Sequence, residues 1–187
     1  MNDHHHNSKL ILQPPTIPEI NNLFQSGWQL DKPMVFPMGL HLWAGFRPSE
    51  ILRAKPGCLK ATSVEVPNGG AISGPASRVI QSPALQVILN LAPPGAPDDK
   101  LIPMPPCEYQ ARFARITKDA GLAAFGMRRL RTAFIVALIW SEKQPEHLQS
   151  AQEAWIGQFR ELDLTRILGF KPASLPPLAS LSKRRNH

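Results

Sequence analysis

Cysteine is nearly absent from this chain of 187 residues, which holds two, Cys58 and Cys107. They lie far apart and without the paired spacing of a metal knuckle, so they supply neither a disulfide framework nor a zinc site. A reducing, cytoplasmic setting is expected. No apolar run reaches the length of a membrane span, and the opening "MNDHHHNSKL" lacks the charged-then-apolar layout of an export signal. No membrane partner is therefore expected. There is no Walker loop, dinucleotide-binding glycine pattern or nucleophile elbow, and no cofactor is expected. Tyrosine is scarcer still: Tyr109 is the single copy.

What is present is proline, positive charge and apolar periodicity. The 20 prolines cluster near 14–18, 33–37, 93–97, 103–106 and 172–177, as loops and tails do. Formal charge is +7, which favours an anionic partner, nucleic acid before an acidic membrane face. With 43% apolar residues, one domain of ordinary size can bury a core. Residues 1–11, with His4, His5 and His6, read as a flexible tail, 12–170 as the domain, and 171–187 as a proline-rich basic tail ending in Lys183, Arg184 and Arg185.

The pattern predicts a first helix over "TIPEINNLF", capped by Thr16 with Glu19 three residues on. An apolar helix over Val35–Trp43 stops at Gly45, and a shorter one starts in "RPSEILRA". His41, alone in that apolar helix, reads as a core or surface residue and not as a catalyst. "SVEV" and "SRVIQS" are the only β-like segments, and "PALQVILNL" reads as a helix opened by Pro83. Tyr109, Phe113, Ile116 and Ala120 form a helical stripe ended by Gly121. "FGMRRLRTAFIVALIW" predicts a helix with Leu130, Phe134, Ala137 and Leu138 on one side. A further helix from Pro145 shows Leu148, Gln152 and Trp155 on one face, and "ELDLTRILGF" closes the domain with a short one. The predicted class is mainly α with a small antiparallel β-sheet.

Three segments in order, "GFRPSEILRA", "RRLRTAF" and "IGQFRELDLTRI", resemble the catalytic domain of the tyrosine recombinases, the phage integrase family. The resemblance runs from about Leu12 to Phe170. It puts Arg47 at the first catalytic arginine with Glu50 as the accompanying acid, Arg131 at the second arginine, and "SRVIQSPALQVIL" at the segment leaving the small sheet. Members of the family attack a DNA phosphodiester with a tyrosine and hold the phosphate with two arginines, whose planar, permanently charged forks suit phosphate.

The departures fall on the chemistry. Arg128 stands where the family has a histidine, Gln158 where Leu-Gly-His ends, and Ile167 at the nucleophilic tyrosine. No lysine lies between Pro67 and Ser77. Isoleucine cannot attack phosphorus, and glutamine can donate a hydrogen bond but cannot act as an acid. The resemblance therefore implies a catalytically inactive protein that binds the backbone of double-stranded DNA through Arg47, Arg78, Arg128, Arg131 and Gln158. Arg129, between the last two arginines, reads as solvated. Such a protein fits a regulator or accessory factor of a mobile element or phage. Only about ten residues precede the first helix, so the family's separate N-terminal clamp domain is not expected. The C-terminal tail is a candidate for self-association or for contact with a partner recombinase.

Two other readings stay open at this point. One is an active recombinase whose nucleophile is Tyr109 or comes from another chain. The other is an interaction module for a partner recombinase that touches no DNA.

Overall fold

A computed structural model describes residues 13–60, 63–66, 76–79, 83–93, 99–142 and 148–169. The expected tails, 1–11 and 171–187, and the loop from 67 to 75 lie outside the described residues. Within them the chain is mainly helical. Helices α1 (Ile17–Leu30), α2 (Lys32–Ala44) and α3 (Pro48–Ile51) come first, followed by a 3-10 turn at Pro56–Cys58. Strands β1 (Ser63–Val66) and β2 (Ala76–Val79) pair antiparallel, with Ser63 opposite Val79. Helices α4 (Pro83–Asn90), α5 (Pro106–Asp119), α6 (Met127–Ser141), α7 (Ser150–Arg160) and α8 (Leu164–Ile167) complete the order.

α1 starts as its sequence requires. The Glu19 N–H donates to the Thr16 hydroxyl (3.3 Å), and the Thr16 N–H donates to the Glu19 carboxylate (2.7 Å). The helix runs past the expected end at Phe24 to Leu30, closing where the Asp31 N–H meets the Gly27 carbonyl (2.9 Å). Gly27 earns its place in the helix through packing, since a Cβ there would stand 3.2 Å from Met38 Cε.

α2 is the centre of the molecule, and every residue from Met34 to Ala44 is buried. A helix apolar all round belongs inside a core. It tolerates Pro37 near its start, where the only casualty is the helical donor to the Pro33 carbonyl. Gly39 lets α4 cross closely: a Cβ at this position would lie 2.3 Å from Ile88 Cγ1. Gly45 (φ 60°) ends the helix in the left-handed conformation, with the Phe46 N–H on the Leu40 carbonyl (3.1 Å).

α5 buries Tyr109, Phe113 and Ile116, the expected stripe, and Gly121 (φ 72°) follows its end. α6 buries Leu130, Ala133 and Val136, while Phe134 is half-buried and Leu138 is 46% exposed. Ala133 to Trp140 is apolar at every position, so hydrophobicity alone does not select a face. Contact with α2 does. α7 begins at Ser150, after the expected start at Pro145, and buries Ile156 and Phe159, with Trp155 half-buried against the core. Asp163 caps α8 by accepting the N–H groups of Thr165 (2.9 Å) and Arg166 (3.4 Å). Among the described residues no helix is long and apolar enough to cross a membrane.

Candidate nucleic-acid interface

The site grows from the turn between α2 and α3. Its two peptide units, Gly45–Phe46 and Phe46–Arg47, are each held on both edges. The Gly45 carbonyl accepts Arg131 Nε (3.0 Å), while the Phe46 N–H binds the Leu40 carbonyl. The Phe46 carbonyl accepts His41 Nδ1 (2.7 Å), and the Arg47 N–H donates to Glu50 Oε2 (2.7 Å). Glu50 is buried, and its carboxylate caps α3 through the backbone of Arg47.

Chemistry fixes the proton positions in this corner. A carbonyl only accepts, so His41 carries its hydrogen on Nδ1. Nε2 is then a bare acceptor, and the Tyr109 hydroxyl donates to it (2.8 Å). Both side chains are 0% exposed. Burial lowers the His41 pKa to about 4, against the pull of the Phe46 carbonyl and with help from the nearby charge of Arg131. Burial also pushes the Tyr109 hydroxyl well above its ordinary value. At neutral pH the histidine is neutral and the tyrosine protonated. Tyr109 is thus no candidate nucleophile for DNA in this fold: it has no exposed surface, and its hydroxyl proton is engaged by His41.

The four arginines of the turn and of the start of α6 stand in three conditions. Arg131 is half-buried, and its Nε is taken by Gly45. Its two terminal nitrogens make no hydrogen bond or ion pair among the described residues. Arg47, at the start of α3, and Arg128, one helical turn before Arg131 on α6, are exposed and likewise without a side-chain partner among the described residues. Arg129 is not solvated as expected. Its Nη1 and Nη2 meet the two carboxylate oxygens of Glu19 at 3.2 and 3.3 Å, and its guanidinium lies 4.7 Å from the centre of the Phe125 ring. Burial pushes the Glu19 carboxyl up, but the Thr16 N–H and hydroxyl together with Arg129 hold it below its ordinary value.

The remaining expected residues are not gathered at this turn by any described contact. Arg78 lies on β2 opposite Val64, and its side chain is outside what is described. Gln158 is exposed on α7, which meets the C-terminal end of α6. There Trp155 packs edge-on to Trp140 (5.6 Å), and Arg160 donates to the Ser141 hydroxyl (2.9 Å). Arg128 and Arg131 occupy the opposite end of α6. Ile167 ends α8, half-buried against the core. No cluster of three or more His, Cys, Asp or Glu able to hold a metal occurs among the described residues.

The tie between Tyr109 and His41 was missed by sequence reasoning, although a signal existed. Each is a polar side chain set in an apolar stripe, and buried polar groups need partners. Two such groups on neighbouring core helices are candidates for each other.

With this geometry in hand, the fold can be placed. The crystal structure of XerA recombinase superimposes with a TM-score of 0.53 at 15% identity, covering 94% of this chain and 67% of that one. Similarity at that identity is a likeness of fold, and the fold is recombinase-like. The sequence matches no family model and no curated protein.

Proposed function

We propose that this recombinase-like chain binds the phosphate backbone of double-stranded DNA without cutting it, as a regulator or accessory factor of a mobile element or phage. The observation that carries the reading is the state of the arginines at the α2–α3 turn. Among the described residues Arg131 is anchored by Nε alone, with its fork left over, and Arg47 belongs to the turn that anchors it. Arg128, one helical turn away, adds a cation with no side-chain partner among the described residues. A guanidinium held from behind with its terminal nitrogens unspent suits a phosphate oxygen pair. Permanent charge also makes such binding steeply salt-dependent.

The inactive half of the reading is supported by what stands where chemistry would need a nucleophile. Ile167 is aliphatic and half-buried, and the lone tyrosine is fully buried on the His41 side of the turn.

A salt titration of duplex DNA binding tests the proposal. Wild-type protein should bind, with log K falling linearly in log salt. Arg47→Ala with Arg131→Ala should flatten that line by about two units, one lost phosphate contact each. Binding unchanged in the double variant would refute the phosphate reading. A nicked-duplex suicide substrate tests inactivity, and a protein–DNA adduct surviving denaturant would overturn it.

A further inference from the structure

We infer that Tyr109 and His41 are positioning residues for DNA binding: a buried strut that sets the direction in which Arg47 leaves the α2–α3 turn. The inference rests on the phosphate-binding reading of Arg47 and Arg131 and adds two residues that touch no DNA.

The argument starts from the planarity of the peptide bond. Once both edges of a peptide unit are held, its plane has little freedom left. The Phe46–Arg47 unit is held through its carbonyl by His41 and through its N–H by Glu50. The Gly45–Phe46 unit is held through its carbonyl by Arg131 and through its N–H by Leu40. Together these four bonds fix the backbone leading into Arg47 and tie it to Arg131 on α6. Glu50, Leu40 and Arg131 are each one step from the turn. His41 is different, because its ring must itself be held at the tilt that aims Nδ1 at the carbonyl.

Tyr109 supplies that hold from α5, 68 positions along the chain from His41. The Phe46 carbonyl sets the proton on Nδ1, and the Tyr109 hydroxyl, donating to the bare Nε2, satisfies that buried nitrogen and holds the ring in place. With phenylalanine at 109, the imidazole keeps its space but loses the partner that satisfies Nε2 and fixes its tilt. The Phe46 carbonyl then loses its fixed donor, and Arg47 loses a fixed direction. Arg131 keeps its helix but its Nε acceptor, the neighbouring Gly45 carbonyl, is no longer held in a rigid frame.

The test combines binding with spectroscopy on the full chain. In Tyr109→Phe, measured well below its unfolding midpoint, the slope of log K against log salt for a DNA duplex should fall by about one unit, as when one phosphate contact is lost. His41→Leu with Tyr109→Phe replaces both buried polar groups by apolar ones, a change that a core tolerates better than breaking one partner. That double variant should lose the same slope while folding. Nitrogen NMR of the wild-type imidazole should show Nδ1 protonated and Nε2 bare, and a ring protonated at Nε2 would overturn the inference. So would wild-type affinity and slope in either variant when Arg47→Ala with Arg131→Ala has lost both. If the arginine variant itself binds as wild type, the phosphate reading falls and this inference falls with it.

Discussion

Two corners of the molecule are built around arginine, and they treat it in opposite ways. At the α1–α2 corner, Asp31 is almost fully buried, its side chain 3% exposed, and it takes both Nε and Nη2 of Arg112 together with Nη2 of Arg115. A cleft of about 580 Å³ opens beside it, lined by Leu30, Lys32, Pro33 and the two arginines. Lys32 there lies over the Trp28 ring. At the α2–α3 corner no carboxylate pairs with a guanidinium among the described residues. Glu50 is turned to the backbone, and a carbonyl holds Arg131 by a single nitrogen. The first corner uses its cations to hold helices together. The second holds Arg131 by one nitrogen, and its remaining guanidinium nitrogens meet no partner among the described residues. The presence of arginine says little about function by itself, whereas the acceptor that each fork has already met says a good deal.

If the comparison is sound, acid should weaken the second corner through its support. The His41 pKa is about 4 in the folded chain against an ordinary 6.5. The unfolded chain therefore takes up the proton first, so this contribution is complete above pH 6.5 and is lost as pH falls towards 4. The shift corresponds to on the order of 3 kcal/mol across that window. Unfolding free energies at pH 7 and pH 4.5 should diverge in wild type by more than in His41→Leu, which has no proton to gain there. Equal losses in both proteins would mean that the corner does not depend on a neutral imidazole.

The first corner should break through its carboxylate. Asp31→Ala leaves Arg112 facing an apolar site, and cutting one member of a buried pair is costly. Arg112 remains 28% exposed, so water recovers part of the loss and the expected destabilisation is about 2 kcal/mol by denaturant unfolding. Arg47→Ala, at the exposed and unpaired position, should change stability by no more than about 0.5 kcal/mol. A large stability loss in Arg47→Ala would erase the distinction between the two corners.

Some of this could be read along the chain and some could not. The Thr16–Glu19 cap, the glycine stop at Gly45 and the Tyr109 stripe are local signals, and each appears where the residues require it. The length of α1 was not legible, because Gly27 reads locally as a helix breaker yet lies buried inside the helix with Met38 of α2 packed against it. Nor was the buried face of α6, where eight successive apolar residues left the choice to α2. The arginines of the candidate site were visible by type, but their sorting was not. Arg129 and Glu19 are 110 positions apart, and nothing local to "MRRLR" distinguishes the arginine that pairs from the ones that do not.

That short segment offers the finest form of the comparison. Arg128 and Arg129 are adjacent, carry the same charge and share one helix, yet they differ in what their forks have met. Arg129→Ala removes a partly exposed pair and a ring contact, so it should cost about 0.5–1 kcal/mol of stability. It should leave the salt slope of DNA binding where it was. Arg128→Ala should do the reverse, with stability unchanged within about 0.5 kcal/mol and the slope lower by about one unit. Neither substitution changes the length or register of the helix, and each removes the same single charge. A difference in readout therefore cannot come from net charge, which drops equally in both. It comes from whether the guanidinium was already committed to Glu19. Equal slopes in the two variants would mean that DNA senses only the overall field of the protein, and that the geometry of the α2–α3 corner contributes nothing to binding.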